Sequence, residues 1–419
     1  MKFHGCWACV PALLVLAPAV PARAQQPVGV DTLPGYELSR PRSLNESGDV
    51  VGQVARTAVE PTEQAVLWHR TGRGGLRAEA LPPLDGLERG DARAFASERT
   101  PVGFSYVAGE FSLFRAVLWR RDVSGARLAV DLEPPPGFTD AQAYSANGRG
   151  EIVGEAANPG ETVNGSTMRR AVLWQPRRDG GYEVCDLGVP EGFDASTAFD
   201  INDSGAIAGT ARRLESDGAG GLRARSDVVV WQRLERNHEG SHERAHGCTF
   251  APVLLPARED LPFDQNPSIS ERGDVVARAD RLTPNLPTVS RGLLWSRRRC
   301  AYAAPVELPL PEGFTDAFAR DVNGQGDVAG TALVRSPSGA TTGSRAIVWR
   351  RGERGRFVAE PLDNPPGTAL SVAEGMNERG DVVGSSPAPA AGQSGGLLWK
   401  KTRRRCSANA PGPAETAAR

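Results

Sequence analysis

The sequence predicts an all-β fold: a seven-bladed β-propeller of four-stranded antiparallel blades, its ring closed by an N-terminal strand. Three observations carry that expectation. Seven tryptophans each end a similar short apolar run, at a mean spacing of about 55 residues. A turn-forming Asn-x-x-Gly element stands ahead of most of these runs. A Pro-x-Gly-Phe element closes several of the units.

The runs end at Trp68, Trp119, Trp174, Trp231, Trp295, Trp349 and Trp399, as in Ala65-Val66-Leu67-Trp68 and Gly396-Leu397-Leu398-Trp399. Successive spacings are 51, 55, 57, 64, 54 and 50 residues, one supersecondary unit per copy. These tryptophans are the expected structural residues, packing blade against blade.

The turn element reads Asn45-Glu46-Ser47-Gly48-Asp49-Val50-Val51-Gly52 in the first copy and recurs at 147–154, 202–209, 323–330 and 377–384. The copy at 270–277 is a weaker relative, and the copy at 96–103 keeps only Val102 and Gly103. Asn first and Gly fourth suit a type I turn, and the valine-rich strand that follows makes the element a β-hairpin.

The closing element appears at 130–138, 185–193 and 306–314, each ending in Pro-x-Gly-Phe and leading into a strand of small residues. One unit therefore holds four strands: into the turn, out of it, the tryptophan run, and a last strand. Repeated units of this kind are propeller blades. After Trp399 the usual fourth strand is missing, while Val30-Asp31-Thr32-Leu33-Pro34-Gly35-Tyr36 looks like it. That segment is expected to pair with the last blade, leaving no bare sheet edge.

Composition agrees. Among 419 residues, 48 glycines and 33 prolines disfavour long helices, and 40% hydrophobic with 24% charged residues is ordinary for a globular chain. A formal net charge of −1 gives no global field to recruit nucleic acid or an anionic membrane. Lys2, the apolar stretch from Val10 to Val20, and Ala22-Arg23-Ala24 read as an export signal over 1–24. The expected domains are that signal, a propeller over 25–405, and a polar tail over 406–419. No later run is apolar over the roughly 18 residues a spanning helix needs. Secretion or a periplasmic location would let Cys185, Cys248, Cys300 and Cys406 pair, in any of three ways.

The turn and tryptophan motifs, with Asp186-Leu187-Gly188, resemble the HAF-repeat family of extracellular bacterial proteins across nearly the whole mature chain. The resemblance implies export and repeats, and no particular activity. The family's His-Ala-Phe trio appears here as Arg115-Ala116-Val117, Arg170-Ala171-Val172 or Arg345-Ala346-Ile347, so a ligand role for that histidine does not carry over.

Three patterns suggest chemistry. His238-Glu239-Gly240-Ser241-His242, followed by His246 and Cys248, matches the zinc-peptidase pattern. Its surroundings are polar and interrupted by Gly240, which reads better as a solvated loop. Asp200-x-Asn202-x-x-Gly205 and Asp321-x-Asn323-x-x-Gly326 resemble acidic calcium loops. Ordinary hairpin turns explain them equally, because other copies place Ser or Gly at the first position. Cations follow nearly every tryptophan, giving a candidate basic ring of Arg70, Arg120, Arg121, Arg177, Arg233, Arg297 and Arg350 on one face. The turns carrying Glu46, Asp49, Glu151, Asp203, Asp274, Asp327 and Asp381 are expected on that same face, where surface ion pairs would neutralise it.

On the opposite face, the connections between second and third strands vary most, from 53–64 to 210–227, and variable loops on a rigid scaffold are where binding resides. The expected function is an exported, monomeric, non-catalytic binding or scaffold module for a protein or an anionic cell-envelope glycan, without catalytic residues, metal or cofactor. The alternatives are an extracellular polysaccharide- or peptide-degrading enzyme and a calcium-dependent lectin-like module.

Overall fold

The computed structural model describes residues 26–401 apart from 57–61, 73, 108–112, 164–165, 217–220, 235–247, 259, 262, 282–287, 300, 353–354 and 387–394. Within them the chain is an all-β, seven-bladed propeller. Each of the first six repeats forms one four-stranded antiparallel blade whose strand order follows the chain, and the seventh supplies three strands of the last blade. Blade 3 is typical, with Asp140–Ala146, Ile152–Val163, Ser166–Pro176 and Tyr182–Asp186.

The first strands are innermost. Leu38–Leu44, Arg89–Ser97, Asp140–Ala146, Ala195–Ile201, Phe263–Ile269, Asp316–Val322 and Val372–Met376 each lie against the first strands of both neighbouring blades. Together they wall an axial channel.

The ring closes through its N-terminal strand. Val28–Val30 pairs antiparallel with Gly396–Trp399, Val28 opposite Leu398 and Val30 opposite Gly396. The paired segment is slightly earlier than the sequence suggested, because 31–36 serves as the connection into blade 1. Tyr36 N–H donates to the Leu33 carbonyl, matching Phe138 to Pro135 in a later blade.

The seven tryptophans are at most 1% exposed and pack between blades. Trp174 of blade 3 sits against Val102, Ala116 and Leu118 of blade 2, and Trp68 sits against Val30 and Val383 of blade 7. Six of them also donate their indole N–H across that junction. Trp68 bonds the Asp31 carbonyl at 2.7 Å, so blade 1 clasps the closing strand, and Trp174 bonds Glu133 at 2.8 Å. Trp231 alone among the seven has no partner for this group.

A bulge interrupts the first strand of every blade, with register shifts between Pro41 and Ser43, Ala143 and Ser145, Ala198 and Asp200, and at matching places elsewhere. The last glycine of the repeated turn element makes room for it. A Cβ on Gly154 would stand 1.9 Å from the Gln142 carbonyl oxygen, and one on Gly52 2.2 Å from that of Arg40. In blade 5 Ala277 replaces this glycine, and the bulge there is wider, spanning Gln265 to Ser268.

Cys185, on the fourth strand of blade 3, forms a disulfide with Cys248, just ahead of the fourth strand of blade 4, with Cα atoms 5.6 Å apart. Cys300, Cys406, the 1–24 segment and the 406–419 tail lie outside the described residues.

Candidate functional site: the axial channel and the groove that enters it

The turn element does more than reverse the chain. Asn323 Oδ1 accepts the N–H groups of Gln325 and Asp327, capping its own turn, while its amide N–H donates to the Asn377 carbonyl of the next blade. Asn147 reaches Asn202, Asn202 reaches Ser270, and Asn377 reaches Asn45 in the same way. The fifth residue of the element pins the end of the third strand: Asp49, Asp274, Asp327 and Asp381 accept the backbone N–H of Arg70, Arg297, Arg351 and Lys401. In Asp200–Asn202 and Asp321–Asn323, the oxygens therefore receive N–H and O–H donors, which is the work of turns and not of a calcium cage.

The arginines that follow the tryptophans stand on this same face, two strands out from the channel. Arg350 pairs with Asp327 at 2.7 Å and Glu360 at 3.3 Å, Arg121 with Glu79 at 3.0 Å, and Arg233 with Glu151. Arg177 lies 3.7 Å from Asp179. Arg70 and Arg297 lay their stems over the turn glycines Gly48 and Gly273, and Arg120 is exposed. The zinc-like pattern at 238–246 lies outside the described residues. Among those described, no three His, Cys, Asp or Glu side chains gather as a metal site.

The channel wall is where chemically diverse side chains meet. The bulges bring Arg42, Arg93, Tyr144, Phe199, Asn266, Arg320 and Glu374 to a cavity of about 370 Å³. The residues beside them, Ser145, Asp200, Ser268 and Asp321, form a hydrogen-bonded belt. Ser145 donates to Asp200 at 2.7 Å, and Ser268 Oγ lies 2.8 Å from Asp200 and 2.9 Å from Asp321. One hydroxyl proton cannot serve two carboxylates, so making both bonds requires a second proton on one carboxyl. Burial, and then the neighbouring Asp200 charge, push the Asp321 carboxyl up to about 6, and burial raises Asp200 as well.

Two smaller cavities of about 190 Å³ each extend the channel mouth outward across blades 2 to 5. The outer one is lined by Phe114, Asp140, Gln142, Glu155 and Arg169 among others. The inner one shares Thr167 and Arg169 with it, and shares Phe199 and Asn266 with the channel cavity. The three form one groove. Aromatic faces follow the same line: Tyr106 stacks on Phe114 at 5.2 Å, and Tyr144 on Phe199 at 5.5 Å. Arg93 lies over both Phe104 and Tyr144. Glu155, buried at the bend, accepts from Tyr144 at 2.8 Å and Thr197 at 2.9 Å, and pairs with Arg169. Asn266 holds a left-handed backbone, φ 46°, where the groove meets the channel. Strain of this kind persists where surrounding structure fixes the residue, and it gathers at ligand sites.

No protein-family model matches the chain, and no curated protein does. Solved structures match in fold. A protein of unknown function from Dyadobacter fermentans is 11% identical, covering 90% of this chain and 99% of that one, with a TM-score of 0.43. The β-propeller domain of the Trilobed protease from Pyrococcus furiosus is 8% identical over 88% and 94%, TM-score 0.48. A levansucrase mutant from B. megaterium is 9% identical over 72% and 90%, TM-score 0.33. Each of these likenesses is distant, and a fold alone assigns no activity. No helix among the described residues is long and apolar enough to cross a membrane.

Proposed function

We propose that this chain is an exported, non-catalytic binding module whose ligand is a glycan laid along the groove and into the axial channel. The observation that carries the reading is the row of three adjoining cavities that share lining residues, lined by aromatic rings and by amide, hydroxyl and guanidinium groups. A sugar offers apolar C–H faces and a rim of hydroxyls, and such a lining matches both. Export is supported by the signal-like 1–24 segment, by the HAF-repeat resemblance, and by the Cys185–Cys248 bond, since disulfides persist in oxidising compartments. The test is calorimetric titration of the mature protein with oligosaccharides cut from bacterial envelope polysaccharides. Binding that Phe114→Ala and Arg169→Ala both weaken supports the reading. Binding indifferent to both variants overturns it.

A second reading rests on one observation. Asp140, its carboxyl raised by burial and its Oδ1 buried without a partner, lines the outer cavity together with Glu155, and glycoside cleavage uses two carboxyl groups. New reducing ends that accumulate in proportion to protein, and vanish in Asp140→Asn, would replace the binding module by an enzyme.

A further inference from the structure

We propose that the channel end of the groove selects a carboxylate on its ligand, so that the preferred glycan carries a sugar acid, with Arg93 and Arg320 as the receiving groups. The inference rests on the glycan reading above and narrows its substrate class.

Three of the seven bulges present arginine to one cavity, and the three are not equally occupied. Arg42 is held by buried Asp91, with Nη2 at 3.1 Å and Nε at 3.4 Å, and serves as a structural cation. Among the described residues Arg93 makes no hydrogen bond, and its guanidinium lies over the Phe104 and Tyr144 rings. Its Nε approaches Asp91 at 3.4 Å outside bonding geometry and is buried without a partner. Arg320 makes one ion pair, 3.5 Å to Glu374, and lies over the Phe318 ring at 5.9 Å, while its Nε is likewise buried and unpartnered. Leaving guanidinium donors unmade away from bulk water is costly, and a planar carboxylate is the group that fits such a fork.

Geometry, and not net charge, points the same way, since the carboxyls at this level (Asp91, Asp200, Asp321 and Glu374) outnumber the three guanidinium groups. Asp91 is hydrogen-bonded by Arg42, and Asp200 and Asp321, beside the bulges of blades 4 and 6, turn their oxygens onto Ser268 and backbone donors. Glu374 also acts electrostatically on Arg42 and Arg93. It stands where a ligand carboxylate would be drawn, as an internal competitor. The Phe199 ring, stacked on Tyr144, then positions the ring that bears the acid.

The experiment uses the whole mature protein with trigalacturonate and with its neutral methyl ester, titrated at pH 7 and low salt. The acid is expected to bind about tenfold more tightly than the ester. Arg93→Gln and Arg320→Gln should each weaken acid binding far more than ester binding and so remove most of that preference. Glu374→Gln should tighten acid binding, an effect that a misfolded variant would not produce. Equal binding of acid and ester overturns the carboxylate inference and leaves the glycan reading standing. Failure of both to bind at millimolar concentration overturns the inference and counts against this groove as a glycan site.

Discussion

The rim turns and the channel bulges sit at equivalent places in the blades, but they use their side chains in opposite ways. At the rim, Asn45, Asn147, Asn202, Asn323 and Asn377 repeat because two backbone tasks fall on one amide: capping the local turn and bonding the neighbouring blade. Three residues before each Asn, the bulge presents Arg42, Tyr144, Phe199, Arg320 and Glu374 in turn. The backbone there asks only for a glycine opposite, as at Gly52 and Gly154, and leaves the bulge side chain free. Repetition thus marks what the ring needs to close. Divergence at a fixed geometry marks where ligand chemistry can be written.

The largest test of the comparison lies with the tryptophans. Trp174→Ala removes about 200 Å² of buried surface at about 25 cal/mol per Å², an upper bound near 5 kcal/mol, plus the bond to Glu133. Trp231→Ala loses a similar area and no hydrogen bond, so denaturant titration should find it less damaging by about 1 kcal/mol. Near-wild-type stability in both would remove the tryptophans as the junction between blades.

Asp321, like Asp200, is a channel residue with a backbone task, since it accepts the N–H groups of Val322 and Met376. Its carboxyl titrates near 6 when folded against about 3.9 in an unfolded chain. A raised folded value stabilises the fold at low pH, and that contribution is lost as pH climbs through 6. Relative to Asp321→Asn, the wild type should lose about 2 kcal/mol between pH 4 and pH 7. Parallel pH profiles for the two proteins would show that the belt holds no shared proton.

The smallest effect sharpens the contrast directly. Asn323→Ala should cost about 1–2 kcal/mol by orphaning the Gln325 and Asp327 N–H groups and losing the bond to Asn377. Arg320→Gln, three residues away, should change the melting temperature little. Equal losses would erase the distinction between rim and channel.

This contrast also explains how far the sequence could be read. Blade number, strand order and ring closure were visible because packing repeats Trp and turn geometry repeats Asn and Gly. The same property hid the groove, since no two neighbouring bulges from blade 3 onward share a residue type. A signal was available: aligning copies on the turn Asn exposes a variable residue three places earlier. The turn aspartates were expected only as counter-charges to arginine, and Asp327 does pair with Arg350, yet it also accepts the Arg351 N–H. That second task depends on strand register and has no local signature. The long connection expected over 210–227 continues largely as paired strand, Ser216 opposite Leu222.

Hydrogen–deuterium exchange of the mature protein, with and without a saturating acidic oligosaccharide, tests the location of the site most directly. The account predicts slowed exchange in 140–146, 195–201 and 263–269 and in the inner end of 113–121, with the turns at 45–49, 323–327 and 377–381 unchanged. Protection confined to those turns and the arginines beyond the tryptophans would place the ligand on the opposite face and contradict the account.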